Sequence, residues 1–113
     1  MAIQPGTYNF TLQRRSDHNI PLLFKDGNNT AIDLTGFTVE AQVWEETRTK
    51  KYADFSVTYT DRSAGSVSIA LTDTQTATFT PNILKYDVLL TDPSGSKEYY
   101  LEGIIYVSEG YTT

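Results

Sequence analysis

KYDVLLTDPSGSKEYYLEGIIYV, residues 85–107, holds two apolar ribbons joined at Asp92-Pro93-Ser94-Gly95. The joint matches a type I turn position by position, with Asp first, Pro second and Gly fourth. A β-hairpin sends alternate side chains to opposite faces. One face then carries Tyr86, Val88, Leu90, Tyr99, Leu101, Ile105 and Val107 toward a core. The register that aligns these sets pairs Leu90 with Tyr99, Val88 with Leu101 and Tyr86 with Gly103. The opposite face ought to be wet, yet it carries Leu89, Tyr100, Ile104 and Tyr106 among only three charges, Lys85, Asp87 and Glu102.

Two consequences follow from that register. Tyr86 laid across from Gly103 compensates for the missing side chain, so Gly103 marks a bend or close packing rather than a ligand site. Asp87 facing Glu102 sets like charges opposite each other at a cost of about 0.2–1 kcal/mol, and the pair calls for a cation. Lys85, a neighbouring strand or another chain is the expected source. An apolar outer face of this kind is expected to be covered, either by another strand of the same domain or by a neighbouring subunit for which it is the contact surface. Leu89, Tyr100, Ile104 and Tyr106, with Asp87 and Glu102 at the rim, are therefore the candidate interface.

The same period of two recurs along the chain. Tyr8, Phe10 and Leu12 alternate with polar residues, as do Phe37, Val39, Ala41 and Val43, then Phe55, Val57 and Tyr59, then Val67, Ile69 and Leu71. With "IPLLFKD" and the hairpin this predicts about seven strands, spaced by turn signals such as Asp26-Gly27-Asn28-Asn29 and Ser63-Ala64-Gly65. The expected fold is all-β: an immunoglobulin-like antiparallel sandwich over residues 1–113, a single domain, with one short helical turn. That turn is read at 72–77, where Thr72 and Gln75 have capping-box spacing, crossing between sheets. "TYNFTLQRRSDHNIPLLF" is polar enough in its middle to bend and hand an edge strand from one sheet to the other. The expected core holds Phe37, Val39, Val43, Phe55, Val57, Val67, Ile69, Leu71, Val88, Leu90 and Leu101.

Composition excludes several functions. The net charge of -5 repels phosphate, and the basic pairs at Arg14-Arg15 and 48–51 read as solvated turns, so nucleic acid is not an expected partner. Without cysteine there is no disulfide framework, thiolate metal site or thiol nucleophile. No apolar stretch approaches the ~20 residues of a membrane helix, and the N-terminus lacks the features of a secretory signal, so no membrane partner is expected and synthesis is expected in a cytoplasm.

The inventory for catalysis is thin. The single histidine, His18, follows Ser16 and Asp17 along a polar turn, whereas triad members converge from separate parts of a fold. "DGNNTAID" is rich in oxygen ligands but lacks the order of a calcium loop and its closing glutamate. The chain is expected to be no enzyme and to hold neither cofactor nor metal. The competing class is a carbohydrate-binding or adhesion module, with Trp44, Tyr52, Tyr100 and Tyr106 as a stacking platform for sugar rings.

The order of short elements carries a resemblance. Asp33-Leu34-Thr35-Gly36 precedes a strand, Gly65 precedes an alternating strand ending in Leu71-Thr72, and Gln75-Thr76-Ala77, Tyr86-Asp87 and Gly103 follow. In this order and spacing, residues 30–112 resemble small immunoglobulin-like virion proteins of tailed bacteriophages and the N-terminal domain of phage baseplate upper proteins. The resemblance implies a non-enzymatic structural role in a virion, at the tail, baseplate or fibre attachment, reached after synthesis in host cytoplasm. It implies other virion proteins as partners, and a homo-oligomer or repeated copies in the particle. Because the sequence stops at Thr113, directly after the closing strand, a stand-alone adaptor or decoration domain is expected.

Overall fold

The computed structural model describes residues 6–26 and 28–109. Among them nine strands form two sheets. In the larger sheet β1 (Gly6–Thr7) and β2 (Phe10–Gln13) lie along β9 (Lys97–Ser108), followed by β8 (Ile83–Thr91), β4 (Thr38–Glu45) and β5 (Lys51–Asp54). The smaller sheet runs β3 (His18–Leu23), β7 (Ser66–Leu71), β6 (Ser56–Asp61). A β9–β8–β4 sheet facing β3–β7–β6 is the strand order of an immunoglobulin-type sandwich.

The expected seven strands become nine because the first breaks at Tyr8-Asn9 and because the β4–β5 hairpin adds an edge strand. The larger sheet is also mixed rather than purely antiparallel. Both β1 and β2 run parallel to β9, Gly6 opposite Leu101 and Phe10 opposite Ile105. The polar stretch after Gln13 does hand the chain across, from β2 in one sheet to β3 in the other. The last crossing between the sheets, from β7 to β8, is made by α1 (Asp73–Thr76), whose N-terminus carries the capping box of Thr72 and Gln75. A single 3-10 turn, Arg62–Ala64, joins β6 to β7 and ends on Gly65 at φ 73°. The turn at 26–30 is held by the Asp26 carboxylate, which accepts from the backbone of Asn28 and Thr30. Gly27 of that turn lies outside the described residues.

Sequence neighbours at 14–18 take structural roles. Ser16 and Asp17 both dock α1: the Thr76 hydroxyl donates to the Ser16 carbonyl, and the Asp17 carboxylate accepts from the Asp73 amide. His18 opens β3 instead of lying in a turn, its ring stacked 4.9 Å from Phe10 at 6°. Burial there lowers its pKa. Arg14 is a clamp, not a solvated turn residue. It donates to the carbonyls of Phe79 and Thr80 at 2.5 and 2.8 Å and pairs with Glu109 at 2.7 Å.

One hydrophobic cluster fills the space between the sheets. Val39, Val43, Phe55, Val67, Ile69, Leu71, Val88 and Leu90 are buried as the alternation predicts, whereas Phe37, Val57 and Leu101 are only half-buried against that cluster. Leu101 lies on the broader sheet, which three strands do not cover fully, Val57 lies on β6 at the edge of the smaller sheet, and Phe37 precedes β4. Phe24 and Phe79, from the connections, are wholly buried where the sheets end.

The hairpin register holds at three pairs, Val88–Leu101, Asp87–Glu102 and Tyr86–Gly103, and fails at the fourth. A bulge sets Leu89 opposite Tyr99 and leaves Tyr100 as the extra residue. Every side chain beyond it changes face. Tyr99 therefore turns to the outside, 52% exposed, and does not enter the core. Tyr100 turns inward, stacks 4.3 Å from Phe24, and its hydroxyl accepts from the Lys25 amide at 3.0 Å.

Gly103 is needed for a close approach. A Cβ there would sit 1.9 Å from the Tyr8 carbonyl oxygen and 3.0 Å from the Tyr86 ring. That carbonyl accepts a 2.6 Å hydrogen bond from the Tyr86 hydroxyl, which holds the break between β1 and β2 against β9. Burial pushes the Tyr86 phenol well above its ordinary range, so it donates as a neutral group at any physiological pH.

Gly103→Ala should therefore destabilise the domain by about 1–3 kcal/mol in urea denaturation, since backbone must move to admit one methyl. Unchanged stability would contradict the contact. Leu84→Ala, at a wholly buried site, should cost about 2–5 kcal/mol. Leu101→Ala should cost clearly less, and equal costs would show that the half-buried position belongs to the core.

Candidate functional site

The outer face of β4, β8 and β9 is built in rows, because paired residues on adjacent strands point the same way. One row is acidic: Gln42 pairs with Asp87, and Asp87 with Glu102. The row on one side is Trp44, Lys85 and Ile104, and the row on the other is Glu40, Leu89 and Tyr99. These three rows line an open groove of about 550 Å³. Nothing among the described residues folds over it. Strands β1 and β2 extend the sheet at its edge, and Asn9 fills the gap between them by accepting from the Ile104 amide at 2.8 Å.

Of the six residues expected at the interface, Leu89, Ile104, Asp87 and Glu102 come together in this groove. Tyr106 shares the face but lies one row beyond, opposite Ile83 and 44% exposed. Tyr100 does not belong to it. The bulge sends Tyr100 onto Phe24 and puts Tyr99 in its place, so the apolar character survives with a different tyrosine.

The groove wall beyond β4 was not legible as a site residue. The β4–β5 turn places Arg48 at φ 64°, a left-handed conformation that costs a non-glycine residue energy. There its guanidinium lies 4.7 Å from the centre of the Trp44 ring. The turn is held by the Glu45 carboxylate, which accepts from the Thr47 amide and hydroxyl and from the Thr49 hydroxyl. These bonds hold the Glu45 pKa down at about 2. Trp44 is fixed from its other end, its indole N–H donating to the Gln42 side chain at 2.9 Å.

Asp87 is the electrostatic centre of the groove. It is half-buried, and its pKa is raised, first by burial and then by the Glu102 charge, with Arg48 opposing. The cation that the acidic pair calls for is thus supplied only in part, and by the turn rather than by Lys85. None of the ion pairs among the described residues includes Asp87 or Glu102.

The four aromatics of a sugar platform do not assemble. Trp44 lines the groove, but Tyr52 packs edge-on to Phe79 and Tyr100 stacks on Phe24. Among the described residues no three histidine, aspartate or glutamate side chains form a set able to hold a metal ion. Compared with known proteins, the chain matches no family model, and no similar curated protein is found.

The raised pKa gives a signed prediction. Below the ordinary carboxylate value of 3.8, Asp87 is neutral in both folded and unfolded chains. As pH rises past that value, ionisation costs more in the fold than in the unfolded chain, so the group lowers stability at neutral pH. Asp87→Asn should therefore be more stable than the parent at pH 7, by about 0.2–1 kcal/mol, the scale of a like-charge cross-strand pair. The gain should vanish near pH 3. A less stable variant at pH 7 would show that the fold favours the charged form of Asp87 over the neutral one.

Proposed function

We propose that this chain is a non-enzymatic structural domain of a tailed-bacteriophage virion, acting through protein–protein contacts on the outer face of β4, β8 and β9. The observation that carries the reading is that face itself: exposed Tyr99 and half-buried Leu89 and Ile104 line an open groove around a half-buried carboxylate. Apolar side chains gathered in one groove, here on both sides of an acidic row, differ from hydrophobics scattered singly over a surface. The immunoglobulin-type strand order fits the virion proteins that residues 30–112 resemble. In this reading the chain is made in the host cytoplasm and takes its place in the tail, baseplate or fibre attachment as an adaptor or decoration subunit.

The test is the double change Tyr99→Lys with Ile104→Lys, compared with Leu23→Lys. Leu23 is 51% exposed on the other sheet and serves as the control. The double variant should keep its melting temperature within a few degrees, as surface changes usually do, while incorporation into particles falls at least tenfold. Leu23→Lys should incorporate like the parent. Full incorporation of the double variant would refute the face as the contact surface.

A further inference from the structure

The groove selects its occupant by charge and by spacing. Four carboxylates, those of Glu40, Glu46, Asp87 and Glu102, line it against the two basic groups of Arg48 and Lys85. A twofold contact with its axis through the acidic row would set that row against its own image, because such an interface presents the same patch from both sides. Like charges brought together this way cost several kcal/mol. Nucleic acid is repelled for the same reason. The favoured occupant is a different, basic surface.

Its shape follows from the rows. The acidic row of Asp87 and Glu102 lies between Trp44 with Ile104 on one side and Leu89 with Tyr99 on the other. Neighbouring rows are two residues apart along β4 and β8, which is roughly 6.6 Å, while on β9 the bulge at Tyr100 makes the step from Glu102 to Tyr99 three residues. An extended segment lying along β8 and β9 repeats at the same interval, so its alternate side chains meet successive rows. We propose that the groove receives an extended segment of another protein with an apolar, basic, apolar pattern at alternate positions, its arginine or lysine seated over Asp87 and Glu102. The inference rests on the reading of this face as a contact surface and goes further by naming what it contacts. A cation placed there supplies the counter-charge that Arg48 supplies only in part. The apolar members of the flanking rows, Trp44 and Ile104 on one side and Leu89 and Tyr99 on the other, would screen it from water, where a charge pair discriminates between partners.

The experiment uses the full chain, labelled with ¹⁵N, titrated with the peptide acetyl-Leu-Thr-Arg-Thr-Leu-amide. Two further peptides carry citrulline or glutamate in place of arginine. Trp44 is the only tryptophan, so its indole N–H gives one assigned reporter inside the groove. The arginine peptide should shift that signal together with the amides of Asp87 and Glu102, and should bind at least tenfold more tightly than the citrulline peptide. The glutamate peptide should not bind. In the chain carrying Asp87→Asn and Glu102→Gln, the preference for arginine over citrulline should disappear. Equal binding of arginine and citrulline peptides, or no shift with either, would overturn the basic occupant. Neither result touches the contact-surface reading, which is decided separately by particle incorporation of the Tyr99 and Ile104 variant.

Discussion

A residue on a strand belongs to one face only, so the pairing of β8 with β9 decides both the core and the surface of this domain. Three matched pairs place Tyr86, Val88 and Leu101 on the inner side and Asp87 and Glu102 on the outer side. The bulge at Tyr100 then reverses the assignment for the start of β9, residues 97–100. An inward Tyr100 caps Phe24 and its hydroxyl meets the backbone at Lys25, while an outward Tyr99 completes the groove beside Leu89. Without the extra residue, Tyr99 would compete for space in a filled core and the groove would lose its end.

The other edge of β9 depends on the smallest side chain available. Gly103 admits the Tyr8 carbonyl, the Tyr86 hydroxyl holds it, and the N-terminal strands are thereby fixed parallel to β9. This keeps β9 from being an open edge, which would otherwise invite unspecific pairing with other chains. Among the described residues it also leaves the outer face of the sheet uncovered, since β1 and β2 lie beside β9 and not across it. Core and candidate site thus share one cause: the contact that seals the edge leaves the groove open.

Most of the architecture was legible because period two is a direct consequence of strand geometry. Alternation found the strands that carry Val39, Val67 and Val88, the capping box found α1, and the polar run after Gln13 gave the exchange between sheets. Four of the six expected interface residues meet in the groove for the same reason. What was missed has a different physics. A bulge inserts one residue without changing composition, so Tyr99 and Tyr100, adjacent and identical in type, cannot be told apart by pattern. Arg48 reaches the groove through a left-handed turn conformation, which a sequence signals clearly only with glycine or asparagine. The parallel pairing of β1 and β2 depends on Gly103, and a lone glycine in a strand marks close approach without saying what approaches.

The central claim is that the outer face of β4, β8 and β9 is covered in the working assembly. Hydroxyl-radical footprinting, read residue by residue by mass spectrometry on the free chain and on intact particles, tests it without altering the sequence. The account predicts that Trp44 and Tyr99 react in the free chain and are protected in the particle, while Leu23 on the opposite sheet reacts in both. Trp44 and Tyr99 remaining reactive in the particle, with protection at Leu23 instead, would contradict it.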